Sequence, residues 1–332
     1  MLHRFAKFLV ACTVLLILAG SLVTSHDAGL SVPDWPTSYG WNMFTFPPSM
    51  WVANVFYEHG HRLIASSVGF LTIVMALWLW IAEPQRRWLR WFGVGALGAV
   101  IAQGLLGGLT VLFFLPPVVS TAHAGLAEIF FCMTVAIAVF TSPGWRSDDD
   151  SVDDHRLRVL TTLTTSLIYA QILVGATMRH TGAGLAIPDF PWMFGHFVPD
   201  HWNAKIAVHF AHRVGALIVA TSIISTAIYI WRRHTDRAEL ASPALLLIIL
   251  VVVQIILGAS TVLSRLQPWI NSVHVVVGAL VLTTSLVITL RAWRVHIADR
   301  GWRTADSIAD SIINRRSIRN PPSAIHNSPV RS

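Results

Sequence analysis

The sequence predicts an all-α integral membrane protein, with eight transmembrane helices forming two repeated four-helix bundles related by a pseudo-twofold axis along the membrane normal. Three observations predict it: the composition, the number of long apolar stretches, and an internal repeat. Of 332 residues, 54% are apolar and only 12% charged. A soluble domain of ordinary usage carries about 25% charged residues. A soluble enzyme is therefore excluded. So are a disordered chain and a disulfide scaffold, since aliphatic residues are abundant and there are only two cysteines.

Eight stretches are long enough for a hydrocarbon core that needs about 20 residues per helix. Helix 1 is expected over 8–25, after Arg4 and Lys7, and helices 2 and 3 over 57–82 and 90–113, flanking Arg86, Arg87 and Arg90. Helices 4 and 5, over 119–141 and 158–178, flank Arg146, Arg156 and Arg158. Helices 6 and 7, over 204–231 and 243–263, flank Arg232, Arg233 and Arg237. Helix 8, over 269–293, leads into eight arginines from Arg291 onward. That side of the membrane holds 19 of the 24 basic residues, against Arg62, Arg179, Lys205, Arg213 and Arg265 on the other. The positive-inside rule places both termini in the cytoplasm. The net charge of +7 is thus topology, not nucleic-acid binding.

The first stretch lacks a convincing small-residue cleavage site, so it reads as a retained helix rather than a signal peptide. No Arg- and Ser-rich transit segment precedes it, which favours a bacterial inner membrane over an organelle. Residues 299–332 read as a flexible cytoplasmic tail. Cys12 and Cys132 fall inside helices 1 and 4 and are read as packing residues, with no structural disulfide expected.

The repeat organises the chain into an amino-terminal bundle, 1–145, and a carboxy-terminal bundle, 146–298. At an offset of 155, Ala28-Gly29-Leu30 maps onto Ala183-Gly184-Leu185, Pro33-Asp34 onto Pro188-Asp189, Pro36 onto Pro191 and Gly40 onto Gly195. At an offset of 151, His61-Arg62 maps onto His212-Arg213, Gln103 onto Gln254, Gly107 onto Gly258 and His123 onto His274. Each half has an even number of helices, so both enter the membrane in the same orientation. Gln103, Gln171 and Gln254 each precede a glycine by four residues, and Leu16–Gly20 repeats the frame without the amide. Such glycines permit close approach of a helix or a planar ligand.

His61, His123, His212 and His274 lie near the outer ends of helices 2, 4, 6 and 8, with the same 62-residue spacing in each half. Ionisable groups in membrane helices are costly and mark function. Facing imidazoles in a four-helix bundle suit the axial positions of a haem iron. Zinc would need further ligands gathered close by. The expectation is two haem sites, one per bundle, toward the outer face. Arg62 and Arg213 follow two of the histidines and suit either a haem propionate or lipid headgroups. Trp35, Trp41, Trp51, Trp192, Trp202 and Trp269 read as an interfacial belt. Glu58 precedes His61 by three residues, where the second half has His209. Residues three apart share a helix face, so Glu58 is expected to look toward the His61 pocket, as a proton relay or a hydrogen-bond partner. His59, His180, His196 and His201 read as solvent-facing, and Glu128 as a weaker candidate for a buried proton site.

Glu58-His59-Gly60-His61-Arg62, the paired loops around Pro33-Asp34 and Pro188-Asp189, Thr121-Ala122-His123 and His274 together resemble the haem A synthase family over roughly residues 8–293. The resemblance implies oxidation of a methyl group of haem O to a formyl group, giving haem A for terminal oxidases. It implies that His61 and His123 flank the substrate haem and that His212 and His274 ligate a haem b cofactor, and Arg62 and Arg213 are read with them as haem-binding through the propionates. It matches Glu58 to a functionally important glutamate, and it brings haem O synthase and an electron donor in the membrane into view as partners. One departure stands out. Where many bacterial members carry cysteines in the outer loops, this chain has Val32 and Ile187. The competing reading is a two-haem electron-transfer cytochrome without chemistry on the porphyrin. A transporter has the parallel repeat in its favour but no need of four matched ligands.

Overall fold

The computed structural model describes the backbone over residues 1–146 and 153–319, and side chains over 1–145 and 153–294. Among these residues, eight helices are long and apolar enough to cross a membrane. They are α1 (Leu2–Ser25), α2 (Asn54–Ala82), α3 (Arg87–Leu112), α4 (Pro117–Phe140), α5 (His155–His180), α6 (Ala204–Arg233), α7 (Ala238–Leu263) and α8 (Pro268–Arg319). A one-turn helix, Pro143–Arg146, follows α4.

Two of the helices begin at polar side-chain caps. Asp154 accepts a hydrogen bond from the Leu157 amide at the start of α5, and Asn203 accepts one from the Ile206 amide at the start of α6. These side chains satisfy amides that a helix leaves open at its amino end. At the other extreme, α8 continues past its apolar span, which closes at Arg294, to Arg319. The rest of the expected tail, 320–332, lies outside the described residues.

Helix α1 packs on α2 and α4, α2 on α3, and α3 on α4, which closes one ring of four. A second ring joins α5 to α6 and α8, α6 to α7, and α7 to α8. The rings meet where α4 and α8 touch one another, α8 also touches α1, and α4 also touches α5. Each ring has its own apolar core. Leu9, Met75, Leu79, Leu89, Phe130 and Ile137 fill the first, and Leu157, Ile223, Ile230, Leu240 and Leu247 the second. These residues gather toward the end that carries the chain's amino terminus. The histidines occupy the opposite end.

The two connections there repeat each other. In each, a carboxylate ties its own loop: Asp34 accepts from the amides of Tyr39 and Gly40, and Asp189 from those of Phe194 and Gly195. Gly40 and Gly195 have φ of +76° and +80°, in the left-handed region where a side chain is strained. The α3–α4 and α7–α8 turns also match, with left-handed pairs at Phe114-Leu115 and Arg265-Leu266.

Candidate functional site

Each of the four histidines stands against a glycine of the preceding helix. A β-carbon at Gly20 would lie 2.9 Å from Cε1 of His61, and one at Gly107 would lie 3.1 Å from Cε1 of His123. At Gly175 it would lie 2.9 Å from Cε1 of His212, and at Gly258 3.2 Å from Cε1 of His274. Carbon atoms pack comfortably at about 3.5–4.0 Å. Only glycine leaves each imidazole this room, so these glycines shape the ligand positions.

The glutamines one turn earlier reach the same histidines. Gln103 Nε2 donates to the His123 carbonyl at 2.9 Å, with the ring Nε2 at 3.4 Å. Gln171 Nε2 donates to the His212 carbonyl at 2.7 Å, with Nδ1 at 3.0 Å. Gln254 Nε2 lies 3.5 Å from Nε2 of His274.

The imidazoles fit a metal ligand by what they lack. Nδ1 of His61, His123 and His274 is buried with no hydrogen-bond partner among the described residues. A buried polar atom left unpaired costs about 1–3 kcal/mol. His123 stands near enough to His61 to act on it electrostatically, and His212 does the same to His274. Among the described residues no three His, Cys, Asp or Glu side chains gather into a group that could hold a metal ion. A planar haem held from opposite sides matches that donor set.

Beside His61, the polar network runs differently from the expectation that Glu58 looks into the pocket. Glu58 is buried, at 3% exposure. Its Oε1 accepts from Arg62 at 2.7 Å and its Oε2 from the Val32 amide at 2.8 Å. Arg62 also donates to the carbonyls of Val32, Asp34 and Thr37 at 2.7–2.9 Å. The partner four residues on wins because Arg62 neutralises the carboxylate as it is removed from water, which a neutral imidazole cannot do. Together the pair bolts α2 to the first outer loop. In the second half, Arg213 donates to the carbonyls of Ile187, Asp189 and Trp192. His209 takes the place of Glu58, with the Ile187 amide 3.3 Å from its Nδ1. Val32 and Ile187, which stand where cysteines were looked for, therefore hold equivalent places in the two halves. Both are fully buried.

The loop carboxylates lie outside the membrane-spanning segments. Burial pushes the Asp34 carboxyl up, but the amides of Gly40 and Tyr39 and the Thr37 hydroxyl outweigh it and hold the group below its ordinary range. Burial likewise raises Asp189, and the amides of Gly195 and Phe194 bring it below the ordinary range.

Two expectations need correction. His59 is not solvent-facing: it is fully buried, accepts or donates a hydrogen bond with Ser38 at 3.1 Å, and packs against Phe46 and Trp51. His180 is half-buried, whereas His201 is exposed and pairs with Asp200 at 2.7 Å. The belt also divides. Trp41, Trp192, Trp202 and Trp269 are exposed. Trp35 instead packs so closely on α3 that a β-carbon at Gly108 would overlap its ring.

Other residues join the bundles, a role absent from the sequence reading. Arg179 of α5 donates to the Ser21 carbonyl and hydroxyl and to the Ser25 hydroxyl of α1 at 2.7–2.9 Å. Its position in the last turn of a helix, on the side poor in basic residues, was the signal available. Glu128, buried on α4 with Oε2 unpartnered, lies near Tyr169 of α5.

Comparison with known proteins places this geometry in context. The family described as COX15-CtaA, cytochrome oxidase assembly protein, matches residues 3–286. A protein of Halalkalibacterium halodurans named heme A synthase is 25% identical over 297 residues, covering 87% of this chain and 97% of its own length. Another of the same name from Shouchella clausii is 29% identical, covering 79% of this chain and 88% of its own. A third, from Symbiobacterium thermophilum, is 28% identical over 75% of this chain and 81% of its own.

Proposed function

Since the chain belongs to the COX15-CtaA family of cytochrome oxidase assembly proteins, we propose that it converts haem O to haem A, oxidising one porphyrin methyl group to a formyl group. It is a multi-pass protein of a bacterial membrane, and its relatives named heme A synthase supply the reaction class. In this reading the amino-terminal bundle, 1–145, takes the substrate between His61 and His123. The carboxy-terminal bundle, 146–298, keeps a haem b between His212 and His274. Both termini face the cytoplasm, and haem O synthase and a membrane electron donor are its partners.

The observation that carries the reading is the pair of buried imidazoles set against glycines in each bundle, with Nδ1 unpartnered in His61, His123 and His274. A bound haem b would supply one-electron transfer, and the methyl-to-formyl change, which removes four electrons and adds one oxygen atom, needs an external oxidant such as dioxygen. The chain's own residues hold and orient the haems. Gly20 and Gly107 leave the rings room to meet a planar substrate, and Gly175 and Gly258 do so for the cofactor. Arg62 and Arg213 hold the outer loops down over the two sites through backbone carbonyls. Glu58 is the proposed catalytic carboxylate, and it would take up a proton as the methyl group is oxidised only on release of its bonds to Arg62 and the Val32 amide. His209, its counterpart in the cofactor bundle, carries no negative charge. That difference favours chemistry in one bundle over a symmetric electron wire.

The test is to express the chain with a source of haem O, extract the haems and weigh them. A formyl-bearing product in the wild type, absent from His61→Ala, supports the reading. Only unchanged haems in the wild type would establish the two-haem cytochrome instead.

A further inference from the structure

The glutamine pattern breaks at one of four otherwise equivalent positions. Gln103, Gln171 and Gln254 reach His123, His212 and His274 from one turn before the contacting glycine. The same position before Gly20 is Leu16. The approach of the helices does not explain the difference, because Gly20 and Gly175 sit equally close to their histidines, at 2.9 Å. The receiving side differs only between the halves. A β-carbon at Gly215 would overlap Gln171 Oε1, and one at Gly278 would lie 3.1 Å from Gln254 Nε2. These glycines, three and four residues after His212 and His274, leave space for the amide. The residues at those steps after His61 are Ile64 and Ala65, and after His123, which Gln103 reaches nonetheless, Leu126 and Ala127, so the absent amide and not the receiving side sets His61 apart. No side chain donates a hydrogen bond to His61 among the described residues, and its buried Nδ1 has no partner.

We infer that His61 is the exchangeable axial ligand of the amino-terminal bundle, and that Leu16 is the positioning residue that makes it so. This rests on the proposed function, in which His61 and His123 hold the substrate haem. An iron ligated on both sides accepts a new ligand, or a new haem, only when one side lets go. The side released is the one whose imidazole moves at least cost. Glutamine ties the other three histidines to their neighbouring helices, two of them through the backbone carbonyl, whereas no side chain hydrogen-bonds His61 among the described residues and the matching position is Leu16. A substrate haem has to arrive and its product leave, while the cofactor stays. The single missing amide falls on one ligand of the substrate bundle and on neither ligand of the cofactor bundle.

The experiment uses the purified, haem-loaded full chain, reduced and mixed with carbon monoxide as the probe of ligand release. The optical change gives the replacement rate at each haem. The wild type is expected to show one carbon monoxide-reactive haem and one resistant haem. Leu16→Gln should slow the reactive phase about three- to tenfold, the range one added amide hydrogen bond provides. Leu16→Met, similar in size but without the amide, should leave it unchanged. Gln254→Leu tests the same idea in the opposite direction and without touching α1: the resistant haem should become reactive by a similar factor. Unchanged rates in both Leu16→Gln and Gln254→Leu, with both haems bound, would overturn the inference and leave the haem assignment standing. If His61→Ala and His123→Ala both leave every haem band and rate unchanged, the assignment of the pair itself fails, and the inference with it.

Discussion

Replacing Gly175 by alanine is the most direct probe of how the bundle shapes a ligand position. The added β-carbon would stand 2.9 Å from Cε1, 3.2 Å from Nδ1 and 3.8 Å from Nε2 of His212. Restoring ordinary contact requires the ring to retreat by about 0.5–1 Å. The ring cannot retreat freely, because Gln171 holds the His212 carbonyl at 2.7 Å from the same helix as the glycine. Overpacking of this kind costs about 1–3 kcal/mol. If that strain falls on the bound state, haem affinity in the carboxy-terminal bundle drops about 5- to 150-fold. Gly258→Ala should cost less, since its nearest contact with His274 is 3.2 Å. Gly104→Ala on α3 is the control: nothing lies within 4 Å of its β-carbon, and alanine is the better helix former. The assay is haem b per chain after purification, read with the optical spectrum. The order expected is Gly104→Ala equal to wild type, then Gly258→Ala, then Gly175→Ala. Full haem content and an unaltered spectrum in Gly175→Ala would refute the claim that this glycine sets the ring's position.

Three further outcomes are expected. Glu58→Gln should keep the haem b spectrum, because those ligands lie in the other bundle, yet lower haem A formation at least tenfold. Bound haem O and haem A measured in one purified variant check this, and near-normal conversion of the bound substrate would leave Glu58 only the task of holding Arg62. Arg179→Met removes the hydrogen bonds from α5 to Ser21 and Ser25. It should lower stability by about 2–4 kcal/mol, seen as an earlier thermal transition in detergent with helix content intact at low temperature. Asp34 and Asp189 titrate below their usual 3.8 in the folded protein. Their stabilisation of the outer loops is therefore fully present above pH 3.8 and is lost as pH falls through the lower folded values. Protease sensitivity of the loops should rise over that acid window in the wild type, whereas Asp34→Asn should be sensitive at neutral pH already.

The helices were legible because a bilayer core demands long apolar stretches, and caps such as Asp154 only moved their ends. The four histidines were legible because a repeat does not keep a costly residue at equal spacing by accident. The glycines were visible but ambiguous: spacing could not tell helix packing from a contact with His61 or His212, and the side-chain geometry does. Glu58 was placed on the correct helix, but its ion pair with Arg62 was not foreseen. Helical spacing permits partners both three and four residues on, and the buried charge of Arg62 decided between them. His59 was missed because its burial depends on Ser38, Phe46 and Trp51, which a folded outer loop brings from a distant part of the chain. Long-range contacts of that kind leave no periodic trace.

The division of labour between the bundles is the central claim, and counting haems by species in four single variants tests it most directly. Wild type, His61→Ala, His123→Ala, His212→Ala and His274→Ala would be purified after growth with haem O, and their extracted haems identified by mass and expressed per chain. The account predicts that His61→Ala and His123→Ala keep haem b and lose the stably held substrate and product haems. It predicts that His212→Ala and His274→Ala lose haem b while the chain remains inserted, since insertion depends on apolar length and not on ligation. Loss of haem b from the first two variants, with its retention in the last two, would contradict it.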